Sequence, residues 1–273
     1  MQLKALLTTM TEVRTVCFIG AGNVATHLAK AFHNAGFMVN GIFSRHIEHA
    51  QTLAEQVGAS VVVDNLSLLP FADVYMFSVK DSVLSDVAKN FYETCKNPKA
   101  LFIHTAGSMS LSVLSDFFEN VAVFYPMQTF SKNRTLNFRE IPVFVEANDP
   151  QNLREVMYLA KKVSMRVTTL SSERRKKLHL SAVFACNFSN HCFNLAYNVL
   201  QKEGIDPTCL LGLIDETVAK IHDFTPHEAQ TGPAVRWDEN VMNSQIEQLV
   251  DSPEMQAVYQ IMSESIRKEF SCQ

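Results

Sequence analysis

The feature that most constrains the fold is a short apolar run that ends in closely spaced small residues. Residues 16–19 read Val-Cys-Phe-Ile, which is long enough for one buried strand, and Gly20, Gly22 and Ala25 follow at the spacing G-x-G-x-x-G/A. Apolar residues then recur at helical spacing, so the glycines lie where a strand turns into a helix. This context is typical of a dinucleotide-binding fingerprint, although a strand–turn–helix with glycines for geometry alone is the alternative.

Each small residue in this motif has a physical role. Gly20 permits the tight turn, Gly22 lets a pyrophosphate approach the backbone, and Ala25 lets the helix pack closely against the strand. The helix start also presents free N–H groups and a partial positive charge, which favour phosphate. We therefore predict cofactor contacts from Gly20, Ala21, Gly22, Asn23 and Val24.

The end of the second predicted strand indicates which cofactor binds. A free ribose 2′-hydroxyl usually meets an Asp or Glu about 20 residues beyond the glycines. Here Ser44 and Arg45 occupy that place, and the first acid is Glu48. A hydroxyl and a guanidinium suit a 2′-phosphate, so the sequence predicts NADP. A surface arginine at a helix start is the alternative interpretation of Arg45.

Apolar runs and helical patterns alternate along the first 170 residues, which predicts an α/β fold with a Rossmann-type, doubly wound sheet. Further strands are predicted at residues 39–43, 60–63, 73–79, 101–104, 121–124, 143–146 and 167–170. Ligands of such sheets bind beyond the carboxyl ends of the strands. This rule adds four residues to the predicted cofactor site: Ser78, Val79, His104 and Gly107.

The composition changes at Ser171, and the remainder is predicted to be all-helical. No Gly or Pro occurs in residues 173–203, so a helix of unusual length is expected there. That helix is apolar on several sides, which favours burial by a second copy of the chain in a homodimer. We divide the chain into an N-terminal extension (1–13), a Rossmann-like NADP-binding domain (14–170) and a helical substrate and dimerisation domain (171–273).

Candidate chemistry lies mainly on the long helix. His179 and Asn187, at i and i+8, suit a proton donor or a substrate clamp, whereas two buried polar groups that satisfy a helix interface are the alternative. The polar turn at residues 231–238 offers Arg236 for a substrate carboxylate, with Asp238 beside it; a helix corner with an Arg–Asp pair is the alternative. Gln128, in a loop after a strand, completes the predicted substrate site.

Composition excludes several classes of protein. The 273 residues carry a net charge of −4, which argues against a general nucleic-acid binder. No segment is long and apolar enough to cross a membrane. The six cysteines show no metal-ligand spacing, and no histidines form a ligand pair, so we expect no metal site and a reducing, cytoplasmic location.

Taken together, these residues resemble a family of bacterial proteins that join a Rossmann-like NADP-binding domain to a C-terminal domain of unknown function, DUF2520. The resemblance rests on Gly20-x-Gly22-Asn23-Val24, Ser44-Arg45, His104-Thr105-x-Gly107, Pro126-x-Gln128-Thr129-Phe130, His179 with Asn187, and Thr231-Gly232-Pro233 with Arg236 and Asp238. Two positions depart from the family pattern: Ala106 stands where a serine is common, and Trp237 stands where a glycine is common. More distantly, the layout is similar to pyrroline-5-carboxylate reductases and β-hydroxyacid dehydrogenases.

The resemblance implies an NADP(H)-dependent oxidoreductase that moves hydride to or from a small C=O or C=N substrate held between two domains. Two alternatives stay open at this point. One is a deazaflavin F420-dependent NADP reductase, and the other is a non-catalytic NADP(H)-binding sensor, which the lack of an unmistakable acid–base pair favours. The residues do not name the substrate.

Overall fold

The computed structural model describes residues 15–271, so the predicted N-terminal extension lies outside the described residues. Eight strands form one sheet: β1 (Thr15–Ile19), β2 (Met38–Phe43), β3 (Val61–Val63), β4 (Val74–Phe77), β5 (Leu101–His104), β6 (Val121–Pro126), β7 (Val143–Ala147) and β8 (Val167–Thr169). Their order is β3-β2-β1-β4-β5-β6-β7-β8. The predicted strands and the doubly wound α/β class are confirmed.

One pair of strands departs from a fully parallel sheet. β6 and β7 run antiparallel, and every other neighbouring pair is parallel. The connection between them, residues 127–142, contains only the short 3-10 turn Phe138–Glu140 and no crossover helix. A parallel return needs a crossover across the sheet face, so this loop brings β7 back antiparallel.

The first part of the chain also carries six helices. They are α1 (Asn23–Asn34), α2 (Ile47–Val57), α3 (Leu84–Tyr92), α4 (Ser112–Ser115), α5 (Pro150–Val163) and α6 (Ser172–Ala182). Residues of α1, α2 and α5 pack in the apolar cluster on one face of the sheet, and residues of α3 and α4 pack in the cluster on the other face. The central strands are therefore buried on both faces, which explains their continuous apolar runs.

The predicted long helix forms with an irregularity in its middle. After α6 the chain continues as a π-helical segment, Val183–Phe188, and then as α7 (Ser189–Lys202). The described chain divides into two compact units between Cys186 and Asn187, inside that π-helical segment. Single-turn π-helical insertions are rare and are frequent at functional sites.

The second unit consists of helices joined by turns and irregular segments, and no strand occurs in its described residues. Beyond α7 it contains α8 (Leu211–Asp223), α9 (Glu239–Glu247) and α10 (Pro253–Phe270). Asp206 caps the turn before α8 by accepting from the Thr208 amide, and Pro253 begins α10, as the sequence indicates. No helix among residues 15–271 is long and apolar enough to span a membrane.

Candidate functional site

The turn after β1 has the backbone geometry that the glycine motif predicts. Gly20 has φ +115°, a region that favours glycine, and a Cβ there would lie 2.4 Å from the Ser78 carbonyl oxygen. Gly22 caps α1 at its N-terminus, and a Cβ on it would meet no atom within 4 Å. The open space at Gly22 is where a pyrophosphate would approach the start of α1.

A cleft of about 560 Å³ opens at the carboxyl ends of β1, β2 and β4. Gly20, Ala21, Gly22, Asn23, Ser44, Arg45, Ser78 and Val79, all predicted for the cofactor, lie on its wall. No Asp or Glu of the described chain lines it, whereas Arg45, Lys80 and Lys132 do, with His46 and His49 beside them. The cleft therefore suits a ligand with several phosphate groups, such as NADP.

Two predicted cofactor residues also have local structural roles. Ser44 is buried, and its hydroxyl accepts a hydrogen bond from the His46 amide at 3.2 Å, which shapes the turn after β2. The Asn23 amide group donates to the Phe130 carbonyl at 2.9 Å and so ties the 127–137 loop to the start of α1. Val24 is half-buried and does not line the cleft.

His104, which the sequence predicts for the cofactor site, does not line the cleft. It is fully buried at the end of β5, and its Nδ1 accepts from the Ala106 amide at 3.2 Å. Burial, together with the nearby positive charge of Arg175, lowers its pKa from 6.5 to about 3. The ring is therefore neutral at neutral pH, and its hydrogen bond to the Ala106 amide supports the loop that follows β5.

Gly107 does not line the cleft either, and it lies against the rings of Tyr125 and His179. A Cβ on Gly107 would lie 2.6 Å from His179 Nδ1 and 2.8 Å from Tyr125 Cε2. The absence of a side chain therefore lets two rings close on this loop. The Tyr125 hydroxyl lies 3.1 Å from His179 Nδ1, and the two rings meet edge to face at 6.0 Å.

This Tyr125–His179 pair lies at the carboxyl end of β6, on the sheet edge at which the cleft opens. Ser78 lines the cleft, and the Thr105 hydroxyl donates to the Ser78 hydroxyl at 3.3 Å, two residues before Gly107. Burial raises the pKa of Tyr125, so its phenol stays protonated at neutral pH. His179 is only partly buried and thus remains accessible to a ligand.

A buried ionic network holds the start of α6 against the sheet. Arg175 is fully buried and forms an ion pair with Glu146 on β7, and it donates to the Met109 carbonyl as well. The Ser172 hydroxyl donates to the same carboxylate at 2.7 Å and accepts from the Leu111 amide at 2.9 Å. His179 lies one turn after Arg175, so the network also fixes its position.

The other predicted substrate residues are not brought together in one described unit. Gln128 is exposed in the first unit, and its side-chain oxygen accepts from the Thr129 amide. Asn187, Arg236 and Asp238 belong to the second unit. Asp238 caps α9, where its carboxylate accepts from the Val241 amide at 3.2 Å, and it forms no ion pair with Arg236.

Two family models match the chain. Residues 15–106 match the family described as NADP oxidoreductase coenzyme F420-dependent, and residues 141–266 match DUF2520, a domain of unknown function. A crystal structure from Bacteroides fragilis, of a protein with the provisional name NADP oxidoreductase, is 43% identical, covers 94% of this chain and 99% of that chain, and has a TM-score of 0.89. The chain belongs to this family of NADP oxidoreductases.

More distant solved structures share the fold. A reductive aminase from Aspergillus terreus, in complex with NADPH and ethyl-5-oxohexanoate, is 16% identical over 94% of this chain and 95% of that chain, with a TM-score of 0.67. An imine reductase from Streptomyces aurantiacus is 12% identical over 93% and 94%, with a TM-score of 0.65. No curated protein matches the chain.

NADP is the cofactor of this NADP oxidoreductase, as the sequence predicts. Open space at Gly22 and the acid-free wall beside Arg45 fit its pyrophosphate and its 2′-phosphate. Among the described residues no group of three His, Cys, Asp or Glu side chains could hold a metal ion.

Sequence reasoning missed Tyr125 and Arg175 as members of this site. Tyr125 stands at the end of a predicted strand, but a partner 54 positions away along the chain leaves no local signal. Arg175 belongs to the run Arg-Arg-Lys-Lys at residues 174–177, which indicates a solvated helix start. Only tertiary structure distinguishes the buried Arg175 from its three exposed neighbours. Trp237, where the family pattern commonly has a glycine, has φ +56°, a conformation that favours glycine.

Proposed function

We propose that this NADP oxidoreductase reduces a small C=O or C=N substrate, or catalyses the reverse oxidation, with His179 as the proton donor. Bound NADPH supplies the hydride to the substrate carbon. The observation that carries the proposal is the 3.1 Å contact between the Tyr125 hydroxyl and His179 Nδ1 beside the cleft. The substrate oxygen or nitrogen gains charge as hydride arrives and takes its proton from the imidazole.

The pairing assigns a role to each ring nitrogen of His179. The donor is the protonated ring, in which both nitrogens carry a proton. Nδ1–H donates to the Tyr125 hydroxyl oxygen, whose own proton goes to the Met127 sulfur at 3.4 Å, and Nε2–H supplies the proton that the substrate takes. The ring is then neutral and regains a proton from water. Tyr125 acts through His179 and is therefore a positioning residue in this proposal.

Two kinds of support point to the same reaction class. The chain has the fold of enzymes named reductive aminase and imine reductase, one of them solved with NADPH and a keto ester. A protonated donor beside the cofactor cleft is the group that such reductions need. Asn187, Arg236 and Asp238 remain proposed contributors from the helical domain, which we place at residues 171–273.

The decisive measurement is anaerobic stopped-flow oxidation of bound NADPH with a panel of ketones, imines and F420. His179→Gln should lower the rate about 10²–10⁴-fold, the usual effect of losing a general acid. Tyr125→Phe should lower it less and shift its pH profile, because the ring keeps its proton but loses its orientation. Both variants should melt and bind NADPH like the unchanged protein.

Other outcomes of this experiment support the alternatives. Rapid oxidation by F420 alone would favour an F420-dependent NADP reductase, and no oxidation by any member of the panel would favour a sensor. If His179→Gln kept its full rate with the active substrate, the imidazole would not be the donor.

Cofactor preference tests the proposed 2′-phosphate contacts of Ser44 and Arg45. NADPH should bind more tightly than NADH. Arg45→Ala should reduce the difference between their binding free energies by about 1–3 kcal/mol, the scale of a hydrogen bond to a charged group. Cofactor fluorescence titrations measure both affinities. Equal affinities in the unchanged protein would contradict this assignment.

We also propose that the helical domain forms a homodimer. Helices α7, α8 and α10 contain no fully buried residue in the described chain, while Leu213, Ile221 and Ile261 are 65%, 52% and 67% exposed. Apolar exposure on this scale marks an interaction surface, and a second copy is the occupant that closes it by symmetry. Light scattering of the unchanged protein at micromolar concentration should give twice the chain mass, and Leu213→Glu should lower the measured mass. A monomeric mass for the unchanged protein would refute the dimer.

The proposed cytoplasmic location is consistent with the cysteine chemistry. All five described cysteines are free thiols, and disulfides are rare in reducing compartments. Fractionation of cells that express the tagged chain would test this location.

A further inference from the structure

A second concave site lies in the first unit, apart from the proposed proton donor. It has a volume of about 380 Å³ and lies between the last turns of α1 and α5 and the loop of residues 132–139. Five cationic side chains surround it: Lys30, Lys132, Arg134, Arg139 and Lys162. No Asp or Glu of the described chain lines it, so we call it the basic pocket.

The charge of the basic pocket is not neutralised within the described chain. None of its five cations takes part in a described ion pair. The nearest carboxylate in sequence, Glu140, is outside the pocket wall and accepts from the Asn137 amide group at 2.7 Å. Lys162 lies over the Tyr158 ring at 5.1 Å, a contact that leaves its charge in place.

Helix ends account for only part of this charge. Lys30 and Lys162 lie near the carboxyl ends of α1 and α5, where a lysine favourably offsets the partial negative charge of a helix. Each helix end supplies roughly half an elementary charge, so the two ends together offset about one of the five cations. About four positive charges therefore remain, three of them on the loop, in a chain whose net charge is −4.

Contacts with α1 and between two of its aromatic rings hold the loop that carries these cations in place. The Ser131 carbonyl lies 2.8 Å from His27 Nε2 on α1, and the Phe130 and Phe138 rings stack at 6.2 Å. Ala31, Ala35 and Val163 also line the basic pocket, so its wall combines apolar and cationic side chains. A concave site with apolar lining and a few charged groups is the usual form of a small-molecule site.

We propose that the basic pocket binds a small phosphorylated molecule, with its phosphate groups on Arg134 and Arg139. Guanidinium groups bind phosphate oxygens in a bidentate geometry, and the lysines add charge without directional demand. Lys132 also lines the cofactor cleft, so ligand in the basic pocket competes for one cation with the bound cofactor and weakens NADPH binding.

Calorimetry with inorganic pyrophosphate tests this proposal, on protein saturated with NADPH so that the cofactor cleft is filled. We expect one site per chain at 150 mM salt, and at least a tenfold loss of affinity in Arg134→Gln/Arg139→Gln. The matched control is Lys176→Gln/Lys177→Gln, which removes the same charge from exposed positions of α6 and should bind as the unchanged protein does.

Three results would overturn the proposal. They are no binding to the NADPH-saturated protein, an equal loss of affinity in both double variants, and binding of a short RNA without binding of pyrophosphate. The coupling is read separately: saturating pyrophosphate should raise the Kd of NADPH severalfold, and unchanged affinity would remove the role of Lys132. None of these readouts depends on hydride transfer, so the basic pocket and the proposed reaction can fail independently.

Discussion

The Glu146–Arg175 pair gives the sharpest test of what holds the site together. Arg175 has no exposed surface, and the Glu146 side chain is 19% exposed. Glu146→Gln keeps the shape of the side chain but removes the negative charge that faces the buried guanidinium. The remaining acceptors of Arg175, the Met109 carbonyl and the Ser172 hydroxyl, are neutral.

The magnitude follows from the burial of the cation. Removing one partner of a fully buried pair destabilises a protein by about 3–5 kcal/mol, because it leaves a charge uncompensated. Since Glu146 is partly exposed, we expect the lower end, about 3 kcal/mol. For a unit of this size each kcal/mol shifts the melting temperature by roughly 2–4 °C, so the first unfolding transition should fall by about 6–12 °C.

Thermal melting of the unchanged protein and three variants tests whether the buried charge of Arg175 depends on Glu146. Glu239→Gln removes the acid of the exposed Arg267–Glu239 pair, 3.3 Å apart, and should change stability by at most about 1 kcal/mol. In Glu146→Leu/Arg175→Met both charges are absent, so this double variant should be more stable than Glu146→Gln. A loss under 1 kcal/mol in Glu146→Gln, or a double variant less stable than the single one, would refute the argument.

Two further predictions concern His104 and Gly107. The folded pKa of His104 is about 3 against 6.5 unfolded, so below pH 6.5 the unfolded chain binds a proton that the folded chain does not; stability should fall by up to about 1.4 kcal/mol per pH unit between pH 6.5 and 3. Urea denaturation of His104→Asn should show a stability that depends less steeply on pH, and an equal slope in the two proteins would contradict the lowered pKa of His104. Gly107→Ala should destabilise by about 1–3 kcal/mol and slow turnover, because the new methyl separates Tyr125 from His179. Gly212→Ala, in α8 where a Cβ meets nothing within 4 Å, is the matched control: it should not lower the melting temperature and should leave turnover unchanged.

The sequence alone determined the fold class, the cofactor fingerprint and most element boundaries. These features depend on local signals: apolar runs of strand length, helical periodicity, and small residues at a strand–helix junction. Gly20 could be predicted because one backbone conformation demands it. The place of Ser44 and Arg45 at the cleft could be predicted because their distance from the glycines along the chain is fixed by the βαβ unit.

Tertiary structure decided what the remaining polar residues do. His104 lies at the correct sheet edge but beneath the loop, and a strand pattern does not distinguish these places. Tyr125 and His179 meet because β6 and α6 pack around Gly107, a contact between positions far apart in the chain. Arg175 is buried while its basic neighbours are exposed, because only its side chain faces Glu146. Long-range packing, which no local pattern encodes, chose these partners.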